Sequence, residues 1–357
     1  MLKSTQPRCP EATEYTTVID PMKCPQWDAL VSTCKGRSFF HGSAWAQVLQ
    51  ETYRHRPVYF CRFVKGAITG ILPVMEVSSS WTGCKGVSLP FTDLCAPLYS
   101  SVADARALYS AAVRYGKDRG WRILECRSSA TEWAGASRSV AFLGHVINLE
   151  DGSEALFHRF KSPVRCAIRK AERAGVRVEF STSLQSMRSF YRLHCLARRR
   201  YGMPCQPFRF FENIARLMLG EGFGFIATAL YEDLPVAAAV FFRDGQEAFF
   251  KFGASDYAYQ HLRPNNLVMW ESIKKCSDAS LTRLHMGRTS LNQRGLRRFK
   301  LGFGACEVPI DYVKYSFRKG TFVKGVDYAE SWLNSLFRRF PAPILRLTGN
   351  LLYPHLT

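Results

Sequence analysis

The spacing of apolar residues predicts alternating strands and helices in the first half of the chain. Between 57 and 77, PVYFCRFVKGAITGILPVMEV is typical of strands, and Lys65-Gly66 supplies a hairpin turn between two of them. Apolar residues at 45, 48, 49 and 53 recur at helical spacing, which predicts a helix over 42–53. The other elements predicted here are strands at 16–20, 121–129 and 140–150 and a helix at 101–120.

The second half repeats this order of elements with clearer helix boundaries. In SPVRCAIRKAERAG, Ser162 is the predicted N-cap, Pro163 takes the first helical position, and Gly175 follows the last turn. Further helices are predicted at 183–202, 264–277 and 292–300, and strands at 176–180, 223–231, 235–245, 246–255, 281–287 and 306–313. Helices beside mixed or antiparallel strands in each half predict an α/β (α+β) fold, with mixed sheets flanked by helices.

This order of elements predicts two similar domains and a tail. The 357 residues are enough for two domains, and the 47% of hydrophobic residues supply a sizeable core. The predicted boundary lies at 150–162, which gives a first domain at 1–155 and a second at 156–325. Residues 326–357 form a predicted amphipathic helical tail that Pro341 and Pro343 interrupt.

Charge is concentrated in the second half. The chain has a net charge of +20, and residues 151–357 hold 32 basic and 17 acidic side chains, for a net charge of +15. That half is therefore expected to attract an anionic partner. A nucleotide cofactor, an RNA and an acidic membrane surface all satisfy this expectation, and charge alone does not distinguish them.

Several classes of protein are excluded by what the sequence lacks. The 12 cysteines form no CxxC pair and no cluster with zinc-ligand spacing, so no metal is expected. No P-loop, GxSxG or HExxH motif occurs, which argues against an NTPase, a serine hydrolase and a zinc enzyme. No apolar run has signal-peptide or membrane-spanning character, and we therefore expect a reduced, soluble, cytoplasmic protein.

The helix predicted from Pro264 is a candidate anion site. Its first turn exposes free backbone N–H groups at the positive end of the helix dipole, and Arg263, Asn265 and Asn266 surround that turn. This arrangement suits a pyrophosphate group. Ordinary helix capping is the alternative, because it serves the same turn equally well.

A second candidate site lies in LHMGRTSLNQRGLRRFKLGFG (284–304). A predicted strand delivers Arg288 at its end, where open sheets commonly bind ligands. Lys300 follows one short helix later, between Phe299 and Phe303, so its amine is expected to emerge from a partly apolar wall. Such a lysine could hold a phosphate or stabilise charge that develops on a carbonyl oxygen. The neighbouring arginines are interpreted as a solvated helix face.

These segments together resemble the FemAB-like acyltransferases, which are double-GNAT proteins related to the peptidoglycan interpeptide-bridge enzymes and to BioF-like acetyltransferase domains. The resemblance rests on FFKFGASDYAYQHLRPNNLVMWESI (249–273) followed by RRFKLGFG (297–304), in that order. SLPFTDLCAPL (88–98) resembles the exosortase-associated branch of that family. The resemblance covers roughly residues 40–315 and implies tandem GNAT-like domains, the second of them BioF-like.

The resemblance implies transfer of an acyl group from an activated donor to an amine. The donor would be acyl-CoA, such as acetyl-CoA, with its pyrophosphate at 263–266, or an aminoacyl-tRNA. Phe299 and Lys300 match the Phe-Lys pair of the bridge-forming branch, where the lysine lies near the donor ester, and Arg288 would help to hold phosphates or the acceptor. A full Gln/Arg-x-x-Gly-x-Gly/Ala run, usual in acetyl-CoA binders, is missing, which leaves the donor open.

Amine attack requires a neutral amine, so a base would assist the reaction. Asp93 in the proline-rich loop, Asp256 after a strand and His285 within a strand are the candidates. Each has a structural alternative: Asp93 in a turn, Asp256 as a cap and His285 as a core residue. The substrate supplying its own base is also open.

The predicted function is therefore acyl or aminoacyl transfer to an amine of a small-molecule or envelope-precursor acceptor, with exopolysaccharide biology implied by the exosortase-like segment. The alternative is a non-catalytic basic protein that binds an envelope polysaccharide assembly at the inner face of the membrane. The amphipathic tail, with Arg338 and Arg339, would suit peripheral contact with that membrane, although packing of the tail on the protein is the simpler expectation.

Overall fold

A computed structural model describes residues 14–325 and 337–356. Its strands are β1 (Glu14–Ile19), β2 (Arg56–Pro57), β3 (Tyr59–Val64), β4 (Ala67–Leu72), β5 (Met75–Ser79), β6 (Gly83–Val87), β7 (Leu98–Tyr99), β8 (Ile123–Cys126), β9 (Val140–Asn148), β10 (Arg177–Ser181), β11 (Gly224–Tyr231), β12 (Leu234–Asp244), β13 (Glu247–Ser255), β14 (Arg283–Ser290), β15 (Cys306–Ser316) and β16 (Thr321–Phe322).

The α-helices of the described chain flank these strands. They are α1 (Trp27–Ser32), α2 (Ser43–Tyr53), α3 (Val102–Asp118), α4 (Gly152–Arg159), α5 (Ser162–Arg173), α6 (Leu184–Tyr201), α7 (Phe208–Ile214), α8 (Pro264–Asp278), α9 (Arg294–Gly302) and α10 (Ala342–Leu352). The mixed α+β architecture confirms the predicted fold class.

One sheet runs through both halves of the chain. Its 12 strands include the path β10-β11-β12-β13-β14-β9-β15-β8-β6-β5-β2, and β16 pairs with β15. A second sheet of four strands has the order β1-β3-β4-β7. The predicted hairpin between β3 and β4 is confirmed, with Lys65 and Gly66 both at positive φ, as a tight hairpin turn of this type requires.

The long strand β15 joins the two halves. Residues Cys306 to Tyr312 pair with β9, and Val313 to Ser316 then pair with β8. Strand β9, from before the predicted boundary at 155/156, pairs on its other side with β14, from after it. The division into 1–155 and 156–325 stays a prediction, and any such division has to cut through this shared sheet.

The hydrophobic core is also shared. The largest cluster combines Trp27, Trp45 and other residues of the first half with Phe210, Phe242 and other residues of the second. Two further clusters belong mainly to one half each. The helices α2 and α7 meet in the shared cluster, and Phe210 packs edge-on against Trp45.

Helix ends follow the predicted signals with one correction. Helix α6 ends at Gly202 in the left-handed conformation, and Gly175 has the same conformation just past α5. Ser162 was the predicted N-cap of α5, but it is the first helical residue and Lys161 occupies the cap position. The reason is Pro163, which is tolerated throughout the first turn and so does not fix the first residue.

The C-terminal region packs on the protein through α10. Pro341 precedes this helix and Pro343 lies in its first turn, where a proline removes no helical hydrogen bond. Leu345 is fully buried. The part of the predicted tail at 326–336 lies outside the described residues. None of the helices at 14–325 and 337–356 combines the length and apolarity needed to cross a bilayer.

Candidate active site

The shared sheet opens between β13 and β14. These parallel strands pair only from Glu247 with Arg283 to Phe249 with His285. Beyond this point β13 continues beside β12, while β14 continues beside β9. The separation of two neighbouring strands leaves a gap in the middle of the sheet.

Each of the two strands carries an irregularity at the gap. On β13, Phe250 pairs with Phe241 and Phe252 with Val240, so Lys251 is an extra residue in that ladder. On β14, the register shifts between His285 and Arg288. Bulges bend a strand and redirect its side chains, and they are frequent beside functional sites. Here they aim Lys251 at the gap and allow β14 to curve away.

Gly287 makes the bulge on β14 possible. Its φ is +70°, a conformation that other residues rarely adopt, and a Cβ here would lie 3.2 Å from Asp93 Oδ2. The backbone of β14 therefore approaches the carboxylate of Asp93 at a distance that a side chain would obstruct.

A cavity of about 320 Å³ lies over the gap, between the two halves of the chain. The first half contributes the segments around Phe40 and Asp93 and part of β9, and the second half contributes parts of β13, β14 and β15. Most of its wall is apolar, but its polar residues include Asp93, His41, Glu247, Lys251 and His285. An apolar cleft with a few convergent polar groups is the usual form of a ligand site.

Asp93 is surrounded by cations. Its Oδ2 accepts a hydrogen bond of 3.0 Å from Lys251 Nζ, and its Oδ1 lies 3.9 Å from Arg288 Nε. Burial would raise the pKa of Asp93, but Lys251, Arg288 and Lys300 together hold it below its usual value. The carboxylate therefore stays charged, and its 26% exposed side chain presents that charge to the cavity.

Lys300 lies behind the bulge rather than on the cavity wall. Its buried Nζ donates to the backbone oxygens of Gly287 at 2.9 Å and of Arg288 at 3.1 Å. Burial lowers the pKa of Lys300 to about 8, although Asp93 opposes this shift. The predicted lysine thus supports the same stretch of β14 that approaches Asp93.

Buried residues of the first half and β15 fix the loop that carries Asp93. Tyr312 donates its hydroxyl to the backbone oxygen of Asp93 at 2.6 Å. The guanidinium of Arg127 donates to the oxygen of Thr92 at 2.8 Å and pairs with Glu125. Because these partners are buried, the loop holds Asp93 in one position.

His285 forms a second polar pair on the cavity wall. Its Nε2 lies 3.1 Å from Glu247 Oε2, and its ring stacks on Phe249 with the centroids 4.7 Å apart. The hydrogen bond from His285 lowers the pKa of Glu247, and Arg283 pairs with the same carboxylate at 2.9 Å. A charged carboxylate at Nε2 favours the tautomer that has Nδ1 free to accept a proton.

The predicted anion site lies on a different part of the structure from the cavity lining. Arg263 is exposed at the N-cap of α8, and its backbone has the left-handed conformation. No side chain caps this helix. Asn265 and Asn266 follow Pro264, and the amide of Asn265 donates to Ser255 Oγ at 2.9 Å. The assignment of Arg263, Asn265 and Asn266 to a donor pyrophosphate stays a prediction.

Two other predicted residues have structural contacts. Asp256 caps a 3-10 helix (Tyr257–Leu262) by accepting a hydrogen bond from the backbone of Ala258. Phe299 is partly buried and packs edge-on against Phe303. Neither residue lines the cavity, and their proposed catalytic and donor-binding roles stay predictions.

Sequence reasoning missed Lys251, Glu247 and His41. His41 is buried, its Nε2 lies 2.9 Å from the oxygen of Ala96, and burial lowers its pKa. Lys251 occurs among phenylalanines in a strand. The bulge directs its side chain toward Asp93, and the sequence gives no sign of that bulge. No group of His, Cys, Asp or Glu side chains in the described ranges is placed to hold a metal ion.

Comparison with known proteins places this site in a familiar fold. Residues 158–307 match the family model of an acetyltransferase (GNAT) domain. By sequence, no curated protein gives a significant match.

Solved structures resemble most of the chain. FemX is 13% identical with a TM-score of 0.63, over 80% of this chain and 94% of FemX. A tandem GNAT protein from the clavulanic acid biosynthesis pathway is 10% identical with a TM-score of 0.56, over 85% of this chain and 98% of that protein. L-PGS from Bacillus licheniformis is 11% identical with a TM-score of 0.54, over 93% of this chain and 97% of L-PGS.

At such low identities, the structural similarity establishes the fold alone. The match to the family model covers the domain that contains β13, β14 and Lys300. The chain carries a GNAT acyltransferase domain within a fold like those of FemX and the tandem GNAT protein.

Proposed function

We propose that this protein transfers an acyl group from an activated donor to an amine that enters the cavity between its halves. The donor would be an acyl-CoA thioester or an aminoacyl-tRNA ester. The observation that carries this proposal is the gap between β13 and β14, where two bulges of the GNAT domain bring Lys251 and Gly287 to Asp93 of the first half. We further propose an envelope-precursor or exopolysaccharide-related acceptor, as the exosortase-like segment implies.

The charged Asp93 suits binding of the acceptor rather than removal of its proton. A carboxylate whose pKa is lowered is a weak base, but its oxygens can accept hydrogen bonds from the acceptor. His285 is then the proton acceptor, because Glu247 fixes its ring and leaves Nδ1 free for a proton. The neutral amine attacks the donor carbonyl carbon, a C–N bond forms, and the C–S or C–O bond of the donor breaks as the leaving group takes up a proton.

Lys300 has a positioning role in this scheme. Its ammonium holds two backbone oxygens of β14 and so fixes the bulge opposite Asp93. It also adds positive potential behind the site, where negative charge develops on the donor carbonyl during attack.

A thermal-shift titration with CoA, acetyl-CoA and bulk tRNA at two salt concentrations tests the donor class. A ligand of the folded state raises the unfolding midpoint as its concentration exceeds its dissociation constant. We expect a salt-tolerant shift with acyl-CoA that Arg263→Glu abolishes and the exposed control Arg173→Glu retains. A shift with tRNA alone that both variants and high salt weaken equally would indicate nonspecific binding.

Transfer itself is measured with radiolabelled acetyl-CoA or aminoacyl-tRNA and a crude envelope fraction as the source of acceptors. His285→Gln should reduce label transfer by roughly 10²–10⁴-fold, the usual contribution of a general base. The matched control is His158→Gln, which is exposed on α4. Label transfer at the wild-type rate by His285→Gln would remove His285 from the mechanism. If no donor shifts the midpoint and no label is transferred, the non-catalytic binding protein becomes the better description.

A further inference from the structure

Helix α10 has one face packed on the protein. Leu345 is fully buried, and the backbone N–H of Cys205 donates to the oxygen of Leu345 at 3.2 Å. Gly349 brings the helix so close that a Cβ there would lie 1.7 Å from the oxygen of Cys205. Tyr353, just past the helix, is also buried and hydrogen bonds to Pro204. The orientation of α10 is therefore fixed by its contacts.

The opposite face of α10 is apolar and exposed. Ile344, Leu347 and Leu351 are 44%, 61% and 58% exposed. Their spacing of three and four residues places them in one stripe along the helix. Single exposed apolar residues are ordinary, but a contiguous row on a fixed helix is typical of an interaction site.

Trp81 extends this surface. It lies in the turn between β5 and β6 and is 61% exposed. Its ring packs on that of His355, with the centroids 4.4 Å apart, so it lies beside the chain end that follows α10. Leu356 is exposed next to His355. The stripe and Trp81 therefore form a surface to which both halves of the chain contribute, which we name the α10 surface.

The charges near the α10 surface are positive. The described residues 337–356, which include α10, contain three arginines and no aspartate or glutamate. Arg338, Arg339 and Arg346 are all exposed, and Arg346 also lies over the ring of Tyr191. A second copy of the chain on this surface would bring these arginines near their own equivalents, which like-charge repulsion disfavours.

We infer that the α10 surface binds the surface of an anionic lipid bilayer. Leucine and isoleucine side chains would enter the boundary between headgroups and acyl chains, and tryptophan favours that interface. The arginines would remain among anionic headgroups, each contributing favourably near a negative surface. A short apolar stripe supports reversible binding along the membrane plane. This inference does not depend on the proposed acyl transfer.

Vesicle co-sedimentation of the full chain tests this inference. The vesicles contain phosphatidylcholine alone or phosphatidylcholine mixed with phosphatidylglycerol. We expect binding to the anionic vesicles, and a loss of about tenfold or more in the combined variant Ile344→Ser, Leu347→Ser and Leu351→Ser, because its apolar contact is removed. Arg338→Gln with Arg339→Gln should reduce the preference for anionic vesicles.

The matched control replaces three exposed leucines elsewhere on the protein, Leu184→Ser, Leu234→Ser and Leu291→Ser, and should bind like the wild type. Thermal midpoints identify any variant that fails to fold, and Trp81→Phe should remove part of the fluorescence blue shift that vesicles produce. Equal binding by the α10 variant and the wild type would overturn the inference, as would no binding by the wild type. A dimer in light scattering that the α10 variant dissolves would assign the surface to self-association instead.

Discussion

Asp93 keeps its charge because three cations surround it, and this decides what it can do. Lys251 forms the closest contact, with a side chain that is only 5% exposed. Burial lowers the pKa of Lys251, while Asp93 opposes that shift. Each charge therefore offsets part of the free-energy cost of burying the other. The pair is suited to holding a charged substrate group, and a proton acceptor has to be found elsewhere in the cavity.

Removal of this carboxylate should destabilise the protein. Asp93→Asn leaves Lys251 without its anionic partner, and we expect the free energy of unfolding at neutral pH to fall by about 1–3 kcal/mol, reduced from the fully buried case because Asp93 is partly exposed. Since the folded pKa of Asp93 is lowered, its contribution is present above the unfolded value of about 4 and is lost as the pH falls below it. Urea unfolding from neutral to acidic pH measures both effects.

A double-mutant cycle with Lys251→Met is the control for that prediction. If the pair interacts directly, the double variant should be more stable than the sum of the single effects predicts. Strict additivity would contradict the importance of the ion pair, even if Asp93→Asn alone were destabilising.

Lys300 should make the stability of the folded protein depend on pH in the alkaline range. Its pKa is about 8 in the folded protein and about 10.4 in an unfolded chain, so the unfolded state binds the extra proton between these values. Wild-type stability should therefore rise with pH relative to Lys300→Met, by up to about 1.4 kcal/mol per pH unit across this window. The comparison between the two proteins removes the titration of cysteines and tyrosines common to both.

Lys117→Met, on the exposed face of α3, is the matched control and should remain parallel to the wild type. Denaturant unfolding at several pH values provides the measurement. Parallel curves for wild type and Lys300→Met would contradict a buried Lys300 with a lowered pKa. An activity loss alone would be less informative, because Lys300 also holds the backbone of β14.

At the scale of elements, two glycines on helices should respond in opposite ways to the same change. Gly349→Ala puts a methyl group against the backbone of Cys205, which cannot turn aside as a side chain could. We expect a loss of about 1–3 kcal/mol as α10 shifts. Gly295→Ala on α9 meets nothing within 4 Å and should stabilise by about 0.4–1 kcal/mol.

Thermal unfolding of the two glycine variants provides the measurement. A neutral Gly349→Ala would mean that α10 does not approach Cys205 as closely as the structure shows. Deletion of the whole tail would be a poorer experiment, because Leu345 and Tyr353 are part of the shared core and their loss would destabilise the fold together with the α10 surface.

Elements with strong end signals could be predicted from the sequence, whereas short elements and strand partners could not. Serine before α6 and glycine after it define that helix. The short helices α1, α4 and α7 were missed because six to eight residues contain too few turns for a clear apolar period. Lys300 and Asp93 were identified from their segments, but the ion-pair partner of Asp93, Lys251, depends on register shifts that only strand pairing creates.

At the scale of the whole molecule, the two halves depend on each other. Strand β15 is the only element of the described chain that hydrogen bonds both β8 and β9, and β14 needs β9 as its neighbour. The largest core cluster takes large residues from both halves, including Trp45 and Phe242, whose rings lie 6.1 Å apart. The cavity follows from this arrangement, since Asp93 and β9 come from one half and β13, β14 and β15 from the other.

Separation of the chain at 155/156 should therefore unfold both pieces. The fragment 1–155 would expose β8 and β9 without β15 and β14, and 156–357 would lose the strand between β14 and β15. We expect each fragment alone to give no cooperative thermal transition, and co-expression of the two to restore one, because together they supply the shared core even though the cut lies inside α4. The intact chain should unfold in one transition. A fragment 156–357 that melts cooperatively by itself would show that the GNAT domain is autonomous and that the shared sheet forms only after it has folded.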